Sequence, residues 1–329
     1  MTVRWGFLGA GWIATRALAP AVAAADGAVL QAVAARDVAR AAALEPNGRC
    51  YDDYAALLGD DDVDAVYISL TNDMHARWSV AALQAGKHVL CEKPLALNAG
   101  EAQAMAEAAV DADRMLVEAS WYRWHPRVRR AQELLAAGAI GTVRHVAAGF
   151  TFAGDLEGNY RLEPARGGGA LYDVGCYAVS AAQWAFGGAP LLDVAARQQI
   201  GPTGVDLVTD ALLTFADGDA EIRAGIAEPP RQWLVITGDA GEIEFREAAY
   251  TSWRDDPTEL LVSDGTTTGR TVIPPTDAYR VMVEETSAVI ERRPGWVLPV
   301  GESVATARIL DAIFAAARGP AGSAAELGT

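Results

Sequence analysis

One short segment places three functional residue types directly after an apolar run. The run 89–91 predicts a buried strand, and Glu92, Lys93 and Pro94 follow it without interruption. A lysine just beyond a strand end can be desolvated and can then titrate near neutrality, while the proline restricts the backbone that aims it. We expect Lys93 to act at the reacting carbon of a hydride transfer, with Glu92 holding the ammonium in place.

A second cluster lies in the stretch 167–177, where three glycines precede a carboxylate and a phenol. Glycines here allow a ligand or another backbone to come close. If the following residues are helical, Asp173 and Tyr177 are four residues apart and share one face. A phenol has a reference pKa of about 10 and needs a nearby cation to act at neutral pH, which Lys93 could supply. The alternative is an ordinary core tyrosine hydrogen-bonded to a helix aspartate.

The chain opens with a strand-like run that is followed at once by a G-x-G-x-x-A turn. Gly9 permits the tight turn, Gly11 lets the backbone approach a pyrophosphate, and Ala14 lets the following helix pack closely. The phosphates would then lie at the helix N-terminus, near Trp12 and Ile13. The pattern predicts a dinucleotide site rather than a plain tight turn.

The end of the second predicted strand decides between the two nicotinamide cofactors. An acidic residue there would hold the ribose 2′-hydroxyl of NAD, whereas this chain has Arg36, Asp37 and, one turn later, Arg40. Arg36 can pair with a 2′-phosphate or stack on adenine, so NADP is favoured. In the alternative, both arginines are solvated and Asp37 is only a helix N-cap; Asp37 could also reach the ribose, which would restore NAD.

Polar residues also follow the next buried strand, at the same edge of the predicted sheet. Thr71, Asn72 and His75 open a helix there. Residues just beyond strand ends line the ligand crevice of an open parallel sheet, so Thr71 and Asn72 are candidate contacts for the nicotinamide or its ribose. His75 is a further candidate, the alternative being a histidine that caps or packs locally.

Strands and helices alternate regularly at first, which predicts a doubly wound parallel sheet in a Rossmann domain over residues 1–120. Beyond an aromatic-rich stretch, strand-like runs separated by turns predict a large, mainly antiparallel open sheet. We assign it to an α+β domain over residues 121–329 that binds substrate and oligomerises. Two helices close the chain, and the final one could pack back on the first domain. The tail 319–329 is expected to be frayed.

Composition argues against several classes of function. The 329 residues carry a net charge of −16, which disfavours nucleic acid and anionic lipid as partners. No apolar run approaches the roughly 20 residues of a membrane span, and the N-terminus lacks a signal-peptide layout, so we expect a cytoplasmic protein. Three widely spaced cysteines predict reduced thiols, and four histidines without helical metal-binding spacing predict no metal site.

Together these motifs resemble those of the glucose–fructose oxidoreductase and inositol dehydrogenase (Gfo/Idh/MocA) family. The matching features are the glycine turn, Arg36-Asp37, Asn72, Glu92-Lys93-Pro94 and the stretch from Gly168 to Tyr177, so the likeness covers nearly the whole chain. The chain is most similar to the branch of dimeric dihydrodiol dehydrogenases and NADP-dependent D-xylose dehydrogenases. That similarity rests on Glu118-Ala119-x-Trp121-x-Arg123 before Pro126, and on Tyr177 where polyol-oxidising relatives have histidine.

The resemblance implies roles for particular residues. Lys93 and Tyr177 would carry the proton transfer, and Asp173 would position the substrate. Arg123 would lie near the nicotinamide and Trp121 near the substrate. Family members often form dimers or tetramers through the outer face of the C-terminal sheet, and we expect a homodimer or homotetramer here.

One motif departs from the family pattern. Family members usually have Thr-Pro-Asn after the fourth strand, whereas this chain has Leu70-Thr71-Asn72, so the loop over the nicotinamide is expected to differ slightly. The resemblance also implies a cis bond before Pro94. His125 is either a substrate contact or a packed histidine.

We therefore expect an NAD(P)-dependent oxidoreductase that transfers hydride between nicotinamide and a secondary alcohol or ketone of a sugar, cyclitol or dihydrodiol. In one assignment Tyr177 accepts the hydroxyl proton beside Lys93; in the other Lys93 is the base and Tyr177 donates a hydrogen bond. Two other functions stay open: a redox-neutral glycoside lyase or epimerase with internally recycled NAD, and a non-catalytic NAD(P) sensor. The sensor would need neither Lys93 nor Tyr177.

Overall fold

The structure, a computed structural model, describes residues 2–252 and 255–319. The described residues form two compact units. The first contains residues 2–128, 255–256 and 275–304, and the second contains residues 129–252, 257–274 and 305–319. The predicted frayed tail lies outside the described residues from residue 320 onward.

The first unit is built on a parallel sheet, which among the described residues has six strands in the order β3-β2-β1-β4-β5-β6. The strands are β1 (Val3–Leu8), β2 (Ala28–Ala34), β3 (Cys50–Tyr51), β4 (Ala65–Ile68), β5 (His88–Cys91) and β6 (Leu116–Glu118). The strand order reverses between β1 and β4, and ligands of doubly wound sheets bind beyond the strand ends at such a switch point. The predicted Rossmann sheet is confirmed.

Helices connect these strands, and polar side chains fix where several of them begin. The helices are α1 (Ala19–Ala24), α2 (Val38–Ala42), α3 (Tyr54–Leu58), α4 (Asn72–Gln84) and α5 (Ala99–Asp111). A wide π-helical turn, Ala14–Leu18, leads into α1. Asp37, Asp53 and Asn98 are the N-caps of α2, α3 and α5, and each accepts a hydrogen bond from a backbone N–H of the first turn.

The second unit is built on a larger mixed sheet, for which the described residues supply eight strands in the order β14-β13-β12-β11-β7-β10-β9-β8. They are β7 (Val143–Ala153), β8 (Asp193–Ile200), β9 (Asp206–Thr214), β10 (Asp219–Gly225), β11 (Ala227–Gly238), β12 (Glu242–Arg246), β13 (Thr258–Ser263) and β14 (Thr268–Ile273). β7 and β10 are parallel, and the other neighbours are antiparallel. The predicted open sheet is confirmed, with β14 as an edge strand that the sequence did not predict.

The described residues also form four further α-helices: α6 (Pro126–Ala136), α7 (Cys176–Ala185), α8 (Ala278–Ile290) and α9 (Val300–Arg318). Every residue of α7 is buried, and this helix packs on β7 and β10. No helix in the described part of the chain combines the length and the apolar character that crossing a bilayer requires.

The two units do not follow the predicted division at residue 120. Residues 121–128 and 275–304 belong to the first unit, whereas residues 305–319 belong to the second. Aromatic contacts explain the difference. Trp121 stacks on Tyr279 with ring centroids 4.4 Å apart, and Trp124 lies edge-on to Trp296 at 5.0 Å. A segment that the sequence assigned to the second domain therefore completes the core of the first unit.

Met282→Ala tests whether α8 belongs to that core. Met282 is fully buried in the same cluster as Trp5 and Phe7, so we expect its truncation to lower the free energy of unfolding by about 2–5 kcal/mol. Arg280→Ala, at an exposed position of the same helix, should change it by less than about 0.5 kcal/mol. Urea unfolding followed by tryptophan fluorescence measures both variants, and equal stabilities would place α8 outside the core.

Candidate active site

The two glycines of the first turn have different surroundings. Gly9 has a φ of +103°, and a Cβ there would lie 2.8 Å from the carbonyl oxygen of Ser69. The protein's own backbone therefore requires glycine at this position. An added Cβ at Gly11 would meet only the same oxygen, at 3.9 Å. The fold leaves this space free, and a glycine-turn site uses such space for the close approach of a pyrophosphate.

The turn continues directly into helical backbone. Thr15 N donates to the carbonyl of Gly11 at 3.0 Å, and Ala14 is fully buried, as its predicted packing role requires. Trp12 is 64% exposed and Ile13 is half-buried. The first amides of a helix have no helical partner and attract anions. The contacts of Trp12 and Ile13 with a cofactor stay a prediction.

Two arginines and one aspartate follow β2. Asp37 is the N-cap of α2, and its Oδ1 accepts from a backbone N–H of that helix at 3.0 Å. Arg40 Nη2 donates to the carbonyl of Ala10, within the glycine turn, at 2.7 Å, and Arg36 is exposed. Burial raises the pKa of Tyr54 in α3, and the charges of both arginines oppose this rise. The carboxylate at this strand end is thus engaged in the cap, while two cations lie around Tyr54.

The loop after β4 is tied to the loop after β5 by His75. Thr71 is the N-cap of α4, and Asn72 is 3% exposed. His75 is also buried, with Nδ1 at 2.9 Å from the carbonyl oxygen of Pro94 and Nε2 at 3.2 Å from that of Leu70. Both ring nitrogens therefore face main-chain carbonyls. These contacts are those of a locally packed histidine, one of the two alternatives for His75; its contact with a cofactor stays a prediction.

Glu92 is held between two donors at the end of β5. Tyr67 donates its hydroxyl to Glu92 Oε1 at 2.7 Å, and the backbone N–H of Lys93 donates to Oε2 at 3.3 Å. Burial raises the pKa of the Glu92 carboxyl, and the charge of Lys93 opposes that rise. Lys93 is half-buried, and its bond to Pro94 is cis, as the resemblance implies.

A second buried carboxylate, Glu118, lies at the end of the neighbouring strand β6. Glu118 pairs in register with Cys91, and its Oε1 accepts from the backbone N–H of Leu95 at 2.9 Å. Burial raises the pKa of Glu118, whereas the charges of Arg123 and Lys93 lower it. Lys93 therefore lies in the field of two buried carboxylates. Glu118 was named as part of a sequence motif but was given no role. A carboxylate at the end of the strand beside β5 could have indicated that it lies near Lys93.

Two residues expected at the ligands are core residues of the first unit. Trp121 is 4% exposed and stacks on Tyr279. Arg123 is 2% exposed, and its Nη1 donates to Glu302 Oε2 at 2.9 Å. In the structure both side chains contact the segment 279–302, which lies far along the chain. The contacts expected of Trp121 with substrate and of Arg123 with nicotinamide stay predictions.

His125 is a packed residue, the second of its two predicted alternatives. It is 2% exposed, and its Nδ1 accepts from the backbone N–H of Arg127 at 3.1 Å. Burial, together with the charge of Arg127, lowers the pKa of His125 to about 4. The ring is therefore neutral at physiological pH.

In the second unit, the three glycines allow backbone and side chain to approach each other. A Cβ at Gly168 would lie 2.5 Å from the carbonyl oxygen of Arg161, and one at Gly169 would overlap Asp206 Oδ1. Gly169 N donates to the same Arg161 carbonyl at 2.9 Å, and Asp206 Oδ2 accepts from Leu171 N at 2.8 Å. The space at Gly168 and Gly169 is thus taken by the protein itself, one of the two possibilities that the sequence left open.

This approach brings Arg161 to the predicted carboxylate. Residues 171–175 form a π-helical turn that continues into α7, so Asp173 and Tyr177 lie on helical backbone as predicted. Arg161 Nε donates to Asp173 Oδ2 at 2.6 Å. Burial would lower the pKa of Arg161, but Asp173, Tyr160 and Tyr177 raise it above its usual value. Arg161 therefore stays charged. Sequence reasoning missed it, although it is a cation shortly before the glycines.

Tyr177 rests on other aromatic rings. It is 6% exposed, and its ring centroid lies 5.8 Å from that of Phe150 and 5.7 Å from that of Tyr250. Tyr250 in turn donates its hydroxyl to the carbonyl of Trp233 at 3.1 Å. The ring of Tyr177 is therefore fixed in orientation. Lys93 belongs to the first unit and Tyr177 to the second, and their convergence on one substrate stays a prediction.

Within residues 2–252 and 255–319, no group of three or more His, Cys, Asp or Glu side chains is placed to hold a metal ion.

Acid is expected to destabilise the first unit through its buried histidines. His125 has a pKa of about 4 when folded and of about 6.5 when unfolded, so the unfolded chain binds a proton first. The stability it contributes is present above about pH 6.5 and is lost as the pH falls toward 4, on the order of 3 kcal/mol in total. His125→Asn keeps an oxygen acceptor for Arg127 N and does not titrate. Urea unfolding at several pH values should show a smaller acid loss for the variant; parallel losses would contradict this assignment.

Nearly the whole chain is similar to known proteins. Residues 3–120 match the family described as the oxidoreductase family with an NAD-binding Rossmann fold, and residues 128–244 match the GFO/IDH/MocA C-terminal domain. D-xylose 1-dehydrogenase (NADP(+)) 2 of Haloferax volcanii is 37% identical over 331 residues, covering 98% of this chain and 99% of that protein. Trans-1,2-dihydrobenzene-1,2-diol dehydrogenase of Xenopus tropicalis is 31% identical over 273 residues, covering 80% and 79%.

A solved structure has the same fold throughout. The crystal structure of KijD10, a 3-ketoreductase from Actinomadura kijaniata in complex with NADP and TDP-benzene, matches with a TM-score of 0.87 and 28% identity, covering 96% of this chain and 98% of that one. The predicted class, an NAD(P)-dependent oxidoreductase, is confirmed by these matches. The chain therefore belongs to the Gfo/Idh/MocA family of oxidoreductases.

Proposed function

We propose that this protein is an NADP-dependent dehydrogenase or reductase that acts on a secondary alcohol or ketone of a sugar-like substrate. The observation that carries the proposal is Lys93, which follows β5 at the carboxyl edge of the Rossmann sheet and is flanked there by the buried carboxylates Glu92 and Glu118. The named activities of the similar proteins from Haloferax volcanii and Actinomadura kijaniata support the same reaction type.

The choice of NADP rests on the residues after β2. Asp37 Oδ1 accepts a hydrogen bond from the first turn of α2, so the one acidic side chain of that turn is oriented by the helix cap. Arg36 is exposed, and Arg40 reaches the glycine turn at Ala10. A 2′-phosphate fits two guanidinium groups better than it fits a carboxylate. The space beside Gly11 fits the pyrophosphate.

When bound, the nicotinamide dinucleotide accepts or supplies the hydride. The two carboxylates beside Lys93 favour its charged ammonium form, so we assign Lys93 to donate a hydrogen bond to the reacting oxygen. Arg161 gives Tyr177 a permanent cationic neighbour, which favours loss of the phenolic proton. We therefore assign Tyr177 as the group that accepts the hydroxyl proton in oxidation and returns it in reduction.

Asp173 and Arg161 suit a substrate with several hydroxyl groups. The carboxylate of Asp173 can only accept hydrogen bonds, whereas the guanidinium of Arg161 can only donate them. The pair, joined at 2.6 Å, therefore offers both kinds of partner to hydroxyls beside the reacting carbon. Sugars, cyclitols and dihydrodiols carry such neighbouring hydroxyls.

We further propose that the protein forms a homodimer or homotetramer through the outer face of the second sheet. Alternate residues of β9 and β11 are buried, which leaves the half-buried Leu212 and Val235 on the other face. On β8 and β9 of this sheet, Arg197 pairs with Asp210 at 3.0 Å. Partly exposed apolar side chains beside an ion pair suit contact with a second copy.

A substrate screen tests the function. We expect reduction of NADP with at least one pentose, hexose, inositol or trans-dihydrodiol, measured by the absorbance of reduced nicotinamide, and less activity with NAD. Lys93→Met should lower kcat by at least about 10²-fold because the reacting oxygen loses its donor, with NADPH affinity within about threefold. Lys87→Met, which alters the other lysine of the chain, is the control and should keep kcat.

Two outcomes would contradict this assignment. Wild-type turnover in Lys93→Met would remove Lys93 from the mechanism. Product formed without net NADPH would favour the redox-neutral lyase or epimerase instead.

Substitution of the two glycines separates folding from cofactor binding. Gly11→Ala should fold with unchanged thermal stability but bind NADPH about tenfold or more weakly, because the new methyl group occupies the space for the pyrophosphate. Gly9→Ala should be destabilised by about 1–3 kcal/mol, because its φ and the close Ser69 carbonyl disfavour any side chain. Thermal unfolding and fluorescence titration with NADPH measure the two effects. Tight NADPH binding by a folded Gly11→Ala would argue against a pyrophosphate at this turn.

A further inference from the structure

We infer that His75 is a positioning residue that holds the main chain of Lys93 through a hydrogen bond to the carbonyl of Pro94. The inference rests on the proposed function, because Lys93 is the residue that we assign to donate a hydrogen bond to the reacting oxygen.

The segment after β5 has no regular secondary structure, so side chains hold its backbone. Lys93 N donates to Glu92 Oε2 at 3.3 Å, and Leu95 N donates to Glu118 Oε1 at 2.9 Å. Pro94 has no N–H, so its carbonyl is the only main-chain group through which it can be held. That carbonyl faces His75 Nδ1 at 2.9 Å. Three consecutive residues are thus fixed by side chains of Glu92, which directly follows β5, of His75 in α4 and of Glu118 in β6.

His75 reaches this segment because α4 begins directly after β4, the strand beside β5. β4 and β5 are parallel, with Ile68 opposite Cys91. The imidazole therefore lies between the two loops that follow these strands, with Nε2 at 3.2 Å from the carbonyl of Leu70. It is 1% exposed, so no solvent competes for its hydrogen bonds.

The protonation of the ring decides which bond is made. Burial lowers the pKa of His75 below its usual value, and the charge of Lys93 acts in the same direction. The two carbonyls and Asp73 oppose this without reversing it. A neutral imidazole has one N–H and one acceptor nitrogen. We assign the N–H to Nδ1, which makes the shorter contact, so the bond to Pro94 is the one that the neutral ring donates.

The composition of the chain supplies a direct probe of this arrangement. Lys87 and Lys93 are the only lysines among the 329 residues. Lys87 is 7% exposed, and its amine donates to the carbonyls of Asp60 and Val63 at 2.7 and 2.9 Å. Acetylation by N-hydroxysuccinimide acetate, followed by peptide mass spectrometry, therefore reports on Lys93, with Lys87 as an internal reference.

The experiment compares three variants of the full chain with and without saturating NADPH. His75→Phe removes the donor, whereas His75→Asn keeps an amide N–H near the position of Nδ1. His88→Asn is the matched control, because His88 also bonds to main chain, accepting from Met115 N at 3.0 Å, but at the start of β5 rather than at its end. Thermal unfolding of each variant gives its stability.

We expect NADPH to protect Lys93 from acetylation in the wild type and in His88→Asn. In His75→Phe the protection should be about tenfold weaker, the size expected for one lost buried hydrogen bond, and His75→Asn should restore most of it. Should His75→Phe not fold, His75→Gln, whose amide reaches toward Leu70 instead of Pro94, takes its place with the same expectation.

Protection of Lys93 in His75→Phe equal to that of the wild type would overturn the inference. An equal loss in His88→Asn would overturn it as well, because the effect would then follow general stability. Wild-type Lys93 that is acetylated equally with and without bound NADPH would instead overturn the place of Lys93 in the proposed function.

Discussion

The arrangement of the first unit's site depends on burying two carboxylates around one amine. Glu92 directly follows β5 and Glu118 ends the neighbouring strand β6, and burial raises the pKa of both carboxyls. Burying an ionised carboxylate is costly unless it is paired and hydrogen-bonded. Each of these two accepts at least one hydrogen bond, and both lie in the field of Lys93. The hydrogen bonds that offset this cost also fix the backbone on which the amine is carried.

The second unit also contains a buried carboxylate, which is paired with an arginine instead of a lysine. Asp173 is also buried, but its partner is a guanidinium from a preceding turn. That turn can come close only because Gly168 and Gly169 have no side chains in its way. The glycine-rich motif therefore serves the geometry of a side-chain pair. Together with the aromatic rings below Tyr177, the pair gives a site with one permanent cation, one acceptor and one oriented phenol.

Sequence patterns predicted those parts of the fold that depend on interactions between residues close together in the chain. The alternation of apolar runs and helical stretches predicted the Rossmann sheet, and the cap at Asp37 was one of the alternatives that its residue type offered. β14 was missed because it is an exposed edge strand with a glycine in it, which weakens the strand pattern. The contacts of Trp121 with Tyr279 and of Arg123 with Glu302 could not be deduced, since the partners are more than 150 residues apart in sequence. The same holds for Arg161, whose link to Asp173 depends on a close approach that spacing does not reveal.

The discontinuous first unit has a consequence for synthesis of the chain. Its core includes Met282 and Tyr279, which follow the entire described sheet of the second unit in sequence. Until α8 has been synthesised, the apolar residues of the first unit that pack against it, such as Trp5 and Phe7, lack those contacts. Domains usually fold as units, N-terminal first, during translation. Here the core of the N-terminal unit is completed only after α8 has been made, so its apolar contact surface for α8 is left without that helix while the second unit's sheet is synthesised.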